Sequence, residues 1–384
     1  LTSRQRDRIA YLDHAATTPM CAEAVAAMLP FLVDRYGNPS GSHTVARAAQ
    51  RALDDARERL ARLLGACPGD VVFTSGGTEA DNLAVSGVAA GAGTVLCSAV
   101  EHPAVLQASL AAGGRTVGVD HRGVVDLGAL AEILDEKVRL VSVMLVNNET
   151  GVRQPLEAVI SLVHERAPAA LVHTDAVQAF GWLDVAALTA DADLVSVSAH
   201  KFGGPKGVGA LVARDRASPL RPILRGGPQE RERRAGTQNL AGIVAMAAAA
   251  EATVRDRERA RLRVREFSTR LVGGILEAVP GVHEAVPRDD RIDAICNLGI
   301  EGVEAEELLV VLDELGVCAS AGSACASGAI QPSHVLLAMG RTIEEAKRHV
   351  RLSLGHATTT ADIDAVLLAF PEAVERLRPA APVL

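Results

Sequence analysis

Only four of the 39 basic residues are lysines, Lys137, Lys201, Lys206 and Lys347, so chemistry that needs a primary amine has few places to occur. Lys201 has the informative setting, because it closes the segment Ser198-Ala199-His200-Lys201 directly after an apolar run that begins at Asp193. An amine at the end of a buried strand is costly unless it is paired or used covalently, and such amines form Schiff bases. A lone lysine there more often snorkels to solvent. Asp175 shifts the balance, since it ends the preceding apolar run, and in a doubly wound sheet the carboxyl ends of strands face the ligand crevice. Thr74-Ser75-Gly76-Gly77-Thr78-Glu79 lies between a strand pattern and a helix pattern, where glycine amides, a hydroxyl and a helix N-terminus can cradle phosphate. It is not a Walker loop, and an ordinary capped turn has the same composition. Together, a phosphate cradle, a strand-end acid and a strand-end amine are the three parts that pyridoxal 5′-phosphate requires: an anchor, a partner for the pyridine nitrogen and a covalent attachment point.

A second kind of chemistry rests on sulfur. The six cysteines are Cys21, Cys67, Cys97, Cys296, Cys318 and Cys325, too sparse for a disulfide framework and without a C-x2-C pair for structural zinc. Five read as structural thiols. Cys325 differs, because residues 319–329 are almost all small, cannot pack a core and are expected to move, which suits a thiol that travels. A thiol with the ordinary pKa of about 8.5 is mostly protonated at neutral pH, so its use requires a nearby base or cation.

Groups at strand ends need a sheet to hold them. Apolar, β-branched runs occur at residues 71–75, 94–98, 115–119, 140–147, 170–175, 193–198 and 207–213, separated by helical patterns. That alternation predicts parallel strands with helical crossovers, and the continuous apolar character of 140–146 predicts burial on both faces. Residues 42–64 form an amphipathic helix with a solvated, arginine-rich outer face. Beyond Gly242 comes a long alanine- and arginine-rich helix to about Leu276, then a break at Pro280-Gly281, a strand near 294–300, a helix over 303–315 and a last helix from Thr360. The expected architecture is α/β: a large domain over residues 16–255 with a mostly parallel sheet, and a smaller α+β domain from residues 1–15 and 256–384.

Composition agrees with a soluble globular chain: 384 residues, 48% hydrophobic and 22% charged. The net charge of -8 argues against a broad nucleic-acid surface, and the apolar stretch 241–250 is too short to span a bilayer. The first ten residues carry no apolar signal segment, so a cytoplasmic location with reduced thiols is expected, with no direct nucleic-acid, membrane or metal partner.

Several strings carry a closer likeness: Tyr11-Leu12-Asp13-His14-Ala15-Ala16-Thr17-Thr18-Pro19, SGGTEADN from Ser75, EH at Glu101, VNNETG from Val146, HTDAVQ from His173, SAHKFGGPKGVGAL from Ser198, GGPQERERRAGTQN from Gly226, GSACAS from Gly322 and RLSLG from Arg351. In that order they resemble the group I cysteine desulfurases of the NifS/IscS type, within the class V aminotransferase superfamily, over nearly the whole chain. The resemblance implies the fold type I architecture of pyridoxal-phosphate enzymes and a homodimer that converts L-cysteine to L-alanine, leaving sulfur on Cys325 as a persulfide for a sulfur-acceptor protein, either an iron–sulfur scaffold or a thiolation enzyme. It further implies that Lys201 binds the cofactor covalently and moves protons, Asp175 pairs with the pyridinium nitrogen, Gln178 bonds the ring oxygen and His102 covers the ring and acts as a catalytic acid or base. Gly77, Thr78, Ser198 and His200 would hold the phosphate, completed by Thr237 of the second subunit. Asn148 would contact cofactor or substrate, and Arg351 would clamp the substrate carboxylate.

Two positions depart from the resembled pattern: His14 stands where asparagine is frequent, and Pro228 where a third glycine is common. Proline removes an amide donor and stiffens that turn. The competing readings are selenocysteine lyase or another class V enzyme such as an aminotransferase, and a non-catalytic scaffold that keeps the fold. An aminotransferase needs no nucleophilic thiol, and a scaffold needs neither Lys201 nor Cys325.

Overall fold

The computed structural model describes residues 9–89, 93–217, 220–321 and 332–378. Twelve strands occur among them: β1 (Ala10–Tyr11), β2 (Val71–Thr74), β3 (Thr94–Ser98), β4 (Arg115–Val117), β5 (Val138–Ser142), β6 (Leu171–Asp175), β7 (Leu194–Ser198), β8 (Gly209–Ala213), β9 (Val282–Glu284), β10 (Ile295–Ile300), β11 (Val317–Cys318) and β12 (His349–Ser353). Seven of them form the central sheet, in the order β2-β8-β7-β6-β5-β3-β4. Every residue of β2, β6, β7 and β8 is buried, as expected of strands covered by helices on both faces.

The sheet departs from uniform parallel order at β8, which runs antiparallel to both β7 and β2. The cause is local. Between Ser198 and Gly209 the chain makes only a short 3-10 turn and a glycine-rich loop, too little for the helical crossover that a parallel return demands. The apolar run predicted as one strand to residue 147 also stops early: β5 ends at Ser142, and Val146 instead makes an isolated antiparallel bridge with Arg153.

The expected long helix spans Leu240–Ala278, about 58 Å at 1.5 Å per residue. Its first turns, Leu240 to Ala250, are wholly buried, because alanines let the helices Ala22–Val33 and Thr44–Leu63 approach closely. Residue 255, where the sequence pattern divides a large from a small domain, falls inside this helix. Helix Thr44–Leu63 corrects another expectation, since Arg57 is not on a solvated face but buried in a bidentate ion pair with Glu230.

The second sheet is antiparallel, in the order β12-β10-β9, and β1 pairs in parallel with β11. The segment after β1 is then tied to β12 by an Asp13–Ser353 bridge. The N-terminal segment is therefore held by elements from the far end of the sequence and brought against the end of β7. No described helix is long and apolar enough to cross a membrane.

Candidate active site

At the carboxyl ends of β6 and β7 lies a cavity of about 370 Å³. Gly77, Thr78, His102, Asn148, Asp175, Gln178, Ser198, His200, Lys201 and Arg351, all predicted from sequence, line it. Thr237 is exposed and does not line it in its own chain, and Cys325 lies outside the described residues.

The floor is built from strand ends. Asp175, the last residue of β6, is buried, and its Oδ1 accepts from the Val177 N–H at 2.8 Å. Burial pushes its pKa up, opposed by His102, by the Val177 N–H and by Lys201. Two further buried acids flank it. Asp81 and Glu101 are both pushed well above the usual carboxylate range by burial, with the charge of Asp175 adding to it, against the hydrogen bond that Glu101 accepts from the Met144 N–H. Of the three, only Asp175 has its upward shift opposed by neighbouring ionisable groups, His102 and Lys201.

Lys201 ends a 3-10 turn after β7, and its Nζ donates to the carbonyls of Ala15 and, at 2.8 Å, Ala16. Burial, helped by the positive charge of Arg351, lowers its pKa to about 8, against weaker support from Asp175 and Asp13. An amine in that range exists partly as the free base near neutral pH. His102 caps the helix Pro103–Ala111: its Nδ1 accepts from the Ala104 N–H at 3.1 Å, which places the proton of the neutral ring on Nε2. Burial also holds its pKa below the ordinary value.

The cradle is formed where β2 turns into the helix Gly77–Ala89. A Cβ on Gly77 would stand 3.0 Å from the Val177 side chain and 3.4 Å from the Ser198 Cβ, so glycine is what lets the helix start so close to the ends of β6 and β7. Ser198 Oγ is buried and has no hydrogen-bond partner among the described residues. A buried hydroxyl left open beside a helix N-terminus, whose first amides have no intrahelical acceptor, is what a phosphate group satisfies. His200 completes this side, its Nδ1 3.1 Å from Thr17 Oγ1, with burial lowering its pKa to about 4. On these grounds the residues present fit pyridoxal phosphate. No group of three or more potential metal ligands occurs among the described residues.

Arg351 enters the opposite wall from β12. Its NH2 donates to Asp13 Oδ1 at 2.7 Å and its NH1 to the Asn148 carbonyl at 2.9 Å. Gln178 donates through Nε2 to the Ala15 carbonyl at 2.7 Å. Ala15, Ala16 and Asp81 line the cavity without having been singled out in the sequence. The two alanines act through carbonyls, which leave no mark on residue type, whereas Asp81 could have been noticed as an acid among the apolar neighbours Ala80, Leu83 and Ala84. The His14 departure is accommodated by Gly355: a Cβ there would sit 2.2 Å from His14 Nδ1.

The remaining cysteines divide as follows. Cys97 and Cys296 are buried in strands, Cys21 and Cys318 are half-buried, and Cys67 is exposed.

Comparison with known proteins places this geometry. The Aminotransferase class-V family model matches residues 10–366. A cysteine desulfurase of Gluconacetobacter diazotrophicus is 40% identical, the match covering 97% of this chain and 95% of that one. Among solved structures, a NifS-like protein superposes with a TM-score of 0.90 at 34% identity, covering 96% of this chain and all of the other. A structure described as SspA in complex with cysteine superposes with a TM-score of 0.78 at 33% identity, covering 90% of this chain and 98% of that one.

Proposed function

The chain belongs to the class-V aminotransferase family and is a cysteine desulfurase that depends on pyridoxal 5′-phosphate, and from that premise we propose how its own residues divide the work. When bound, the cofactor supplies an electron sink for bond changes at the substrate carbons. The amides of Gly77 and Thr78, with Ser198 and His200, would hold its phosphate. Asp175 would keep the ring nitrogen protonated, Gln178 would bond the ring oxygen and His102 would cover the ring and serve in acid–base chemistry. Lys201 would attach the cofactor covalently and move the proton at the substrate carbon. Arg351 would hold the carboxylate of L-cysteine, and Asn148 would contact cofactor or substrate.

Cys325 receives the sulfur. An S–S bond forms between Cys325 Sγ and the substrate sulfur as the substrate's carbon–sulfur bond breaks. The electron pair of the broken bond goes to carbon, which takes up a proton and leaves as L-alanine; the enzyme is left with a persulfide. A sulfur-acceptor protein, an iron–sulfur scaffold or a thiolation enzyme, then removes the outer sulfur. The protein acts as a homodimer in the cytoplasm, with Thr237 of each subunit completing the phosphate site of the other. The single observation that supports this division most is the convergence, in one cavity, of the low-pKa Lys201 amine, the buried Asp175 carboxyl and the unpartnered Ser198 hydroxyl.

The test is sulfide and alanine release from L-cysteine in the presence of a reductant. Replacing Cys325 by serine should lower turnover by a factor on the order of 10³ or more, as expected when a nucleophile is lost, while the cofactor's absorption band persists. A sulfide rate unchanged in Cys325→Ser would remove the persulfide route.

A further inference from the structure

Asp13 does not line the cavity, yet it contacts one wall of it and leads directly into another. Its carboxylate accepts from Arg351 NH2 at 2.7 Å. Two and three residues later come the Ala15 and Ala16 carbonyls that accept from Lys201 Nζ. The segment between these contacts is held firmly. Asp13 bridges Ser353, the Ala15 N–H donates to Ser353 Oγ at 2.9 Å, and the Asp13 carbonyl accepts from the Ala16 N–H and the Tyr11 hydroxyl, each at 3.0 Å. Ser353 lies on β12, the strand that also carries Arg351.

A guanidinium has five N–H donors in a fixed plane. In Arg351 one terminal nitrogen is engaged by Asp13 and the other by the Asn148 carbonyl, while Nε is buried without a partner among the described residues. Two partners on different nitrogens fix the plane of the group, and the donors they leave over are what an incoming carboxylate can use. A buried arginine that lost one of these partners would keep its charge and lose its orientation.

Building on the desulfurase reading, we propose that Asp13 is a positioning residue for substrate selection. By gripping Arg351 from the same short segment whose carbonyls grip Lys201, it sets the spacing between the carboxylate anchor and the reactive amine. That spacing makes the site prefer an α-amino carboxylate to the same amine without its carboxylate. Asp13 acts through Arg351 and touches neither cofactor nor substrate.

The test compares L-alanine with ethylamine, which is alanine without the carboxylate, by the change each causes in the absorption of the cofactor-loaded protein. Wild type should bind L-alanine with a clear preference. In Asp13→Asn, L-alanine affinity should fall about tenfold while ethylamine affinity stays within twofold. Asp13→Glu, which restores the charge one methylene further out, should recover part of the preference. A preference unchanged in Asp13→Asn, a tighter grip on L-alanine there, or an equal loss for both ligands would each overturn the proposal. The sulfide assay separates the two ideas. A wild type that releases no sulfide from L-cysteine but shows the predicted change in preference would contradict the desulfurase reading and leave the role of Asp13 standing.

Discussion

His173 sits in the middle of β6, fully buried, with Nδ1 2.8 Å from Ser142 Oγ and Nε2 2.9 Å from Ser196 Oγ. Burial lowers its pKa to about 3. In the unfolded chain the ring takes up a proton near pH 6.5, so between about 6.5 and 3 the unfolded state binds the extra proton and stability falls as pH drops. At pH 5 this one residue costs about 2 kcal/mol relative to neutral pH. His173→Gln, which keeps a donor and an acceptor, should therefore lose less stability than wild type between pH 7 and pH 5, seen as a smaller drop in Tm. Parallel Tm curves for the two proteins would count against it. At this scale Lys201 and Asp175 were legible because a charged residue ending an apolar strand is conspicuous. Ala15 and Ala16 were not, since a carbonyl oxygen belongs to every residue and only the fold decides which ones face a lysine.

At the scale of elements, the segment after Pro228 is the most unusual. Glu230, Arg231 and Glu232 all adopt left-handed backbone, with φ of 49°, 55° and 65°, which costs side-chain-bearing residues free energy. What holds them is the Glu230 carboxylate, buried in a bidentate pair with Arg57 at 2.7 and 2.8 Å and also accepting from the Phe73 N–H at 2.9 Å. Arg57 in turn donates to the Val71 carbonyl and stacks over the Phe73 ring at 4.7 Å from its centroid. A second pair, Arg234 with Glu79 at 2.8 Å, ties the same segment to the first turn of the helix that opens the phosphate cradle. Glu230→Gln should destabilise the protein by about 3 kcal/mol, because it leaves a buried guanidinium without its counter-charge. The double replacement Arg57→Met with Glu230→Met should cost less than the sum of the single changes, as read by urea denaturation; strict additivity would argue that the pair is not coupled. The seven strands of the central sheet were legible as β-branched runs. The direction of β8 was not read from them, because it is set by a connection too short for a crossover. Nor was the Arg57–Glu230 pair, whose partners lie far apart in sequence on elements that each look solvent-facing alone.

For the whole molecule, the proposed exchange of Thr237 between subunits makes a distinctive prediction. If a Lys201→Ala subunit is paired with a Thr237→Ala subunit, the site in the second keeps its own lysine and receives an intact threonine from the first. Half the sites of the purified heterodimer should then bind pyridoxal phosphate with wild-type affinity, whereas a Thr237→Ala homodimer should bind it more weakly. If Thr237 served its own subunit, no site in the heterodimer would reach wild-type affinity. The α/β architecture was legible at this scale from the alternation of segments, and residues 1–15 were expected beside 256–384, but the individual contacts that close the site, such as Asp13 with Arg351, were not, because no local pattern records them.

Those contacts bear on how the protein is made. β1 has its partner in β11, and Asp13 has its partners in β12, near the other end of the chain. A chain emerging from the ribosome can assemble the central sheet, with Lys201 already at the end of β7, long before β12 exists. Until then Ala15 and Ala16 have no scaffold to hold them over the lysine, and Arg351 has not been made. Between the emergence of Lys201 and that of β12 the reactive amine therefore stays open to solvent, so that a chain terminated after β8 and before β12 carries a sheet and a lysine but no finished pocket.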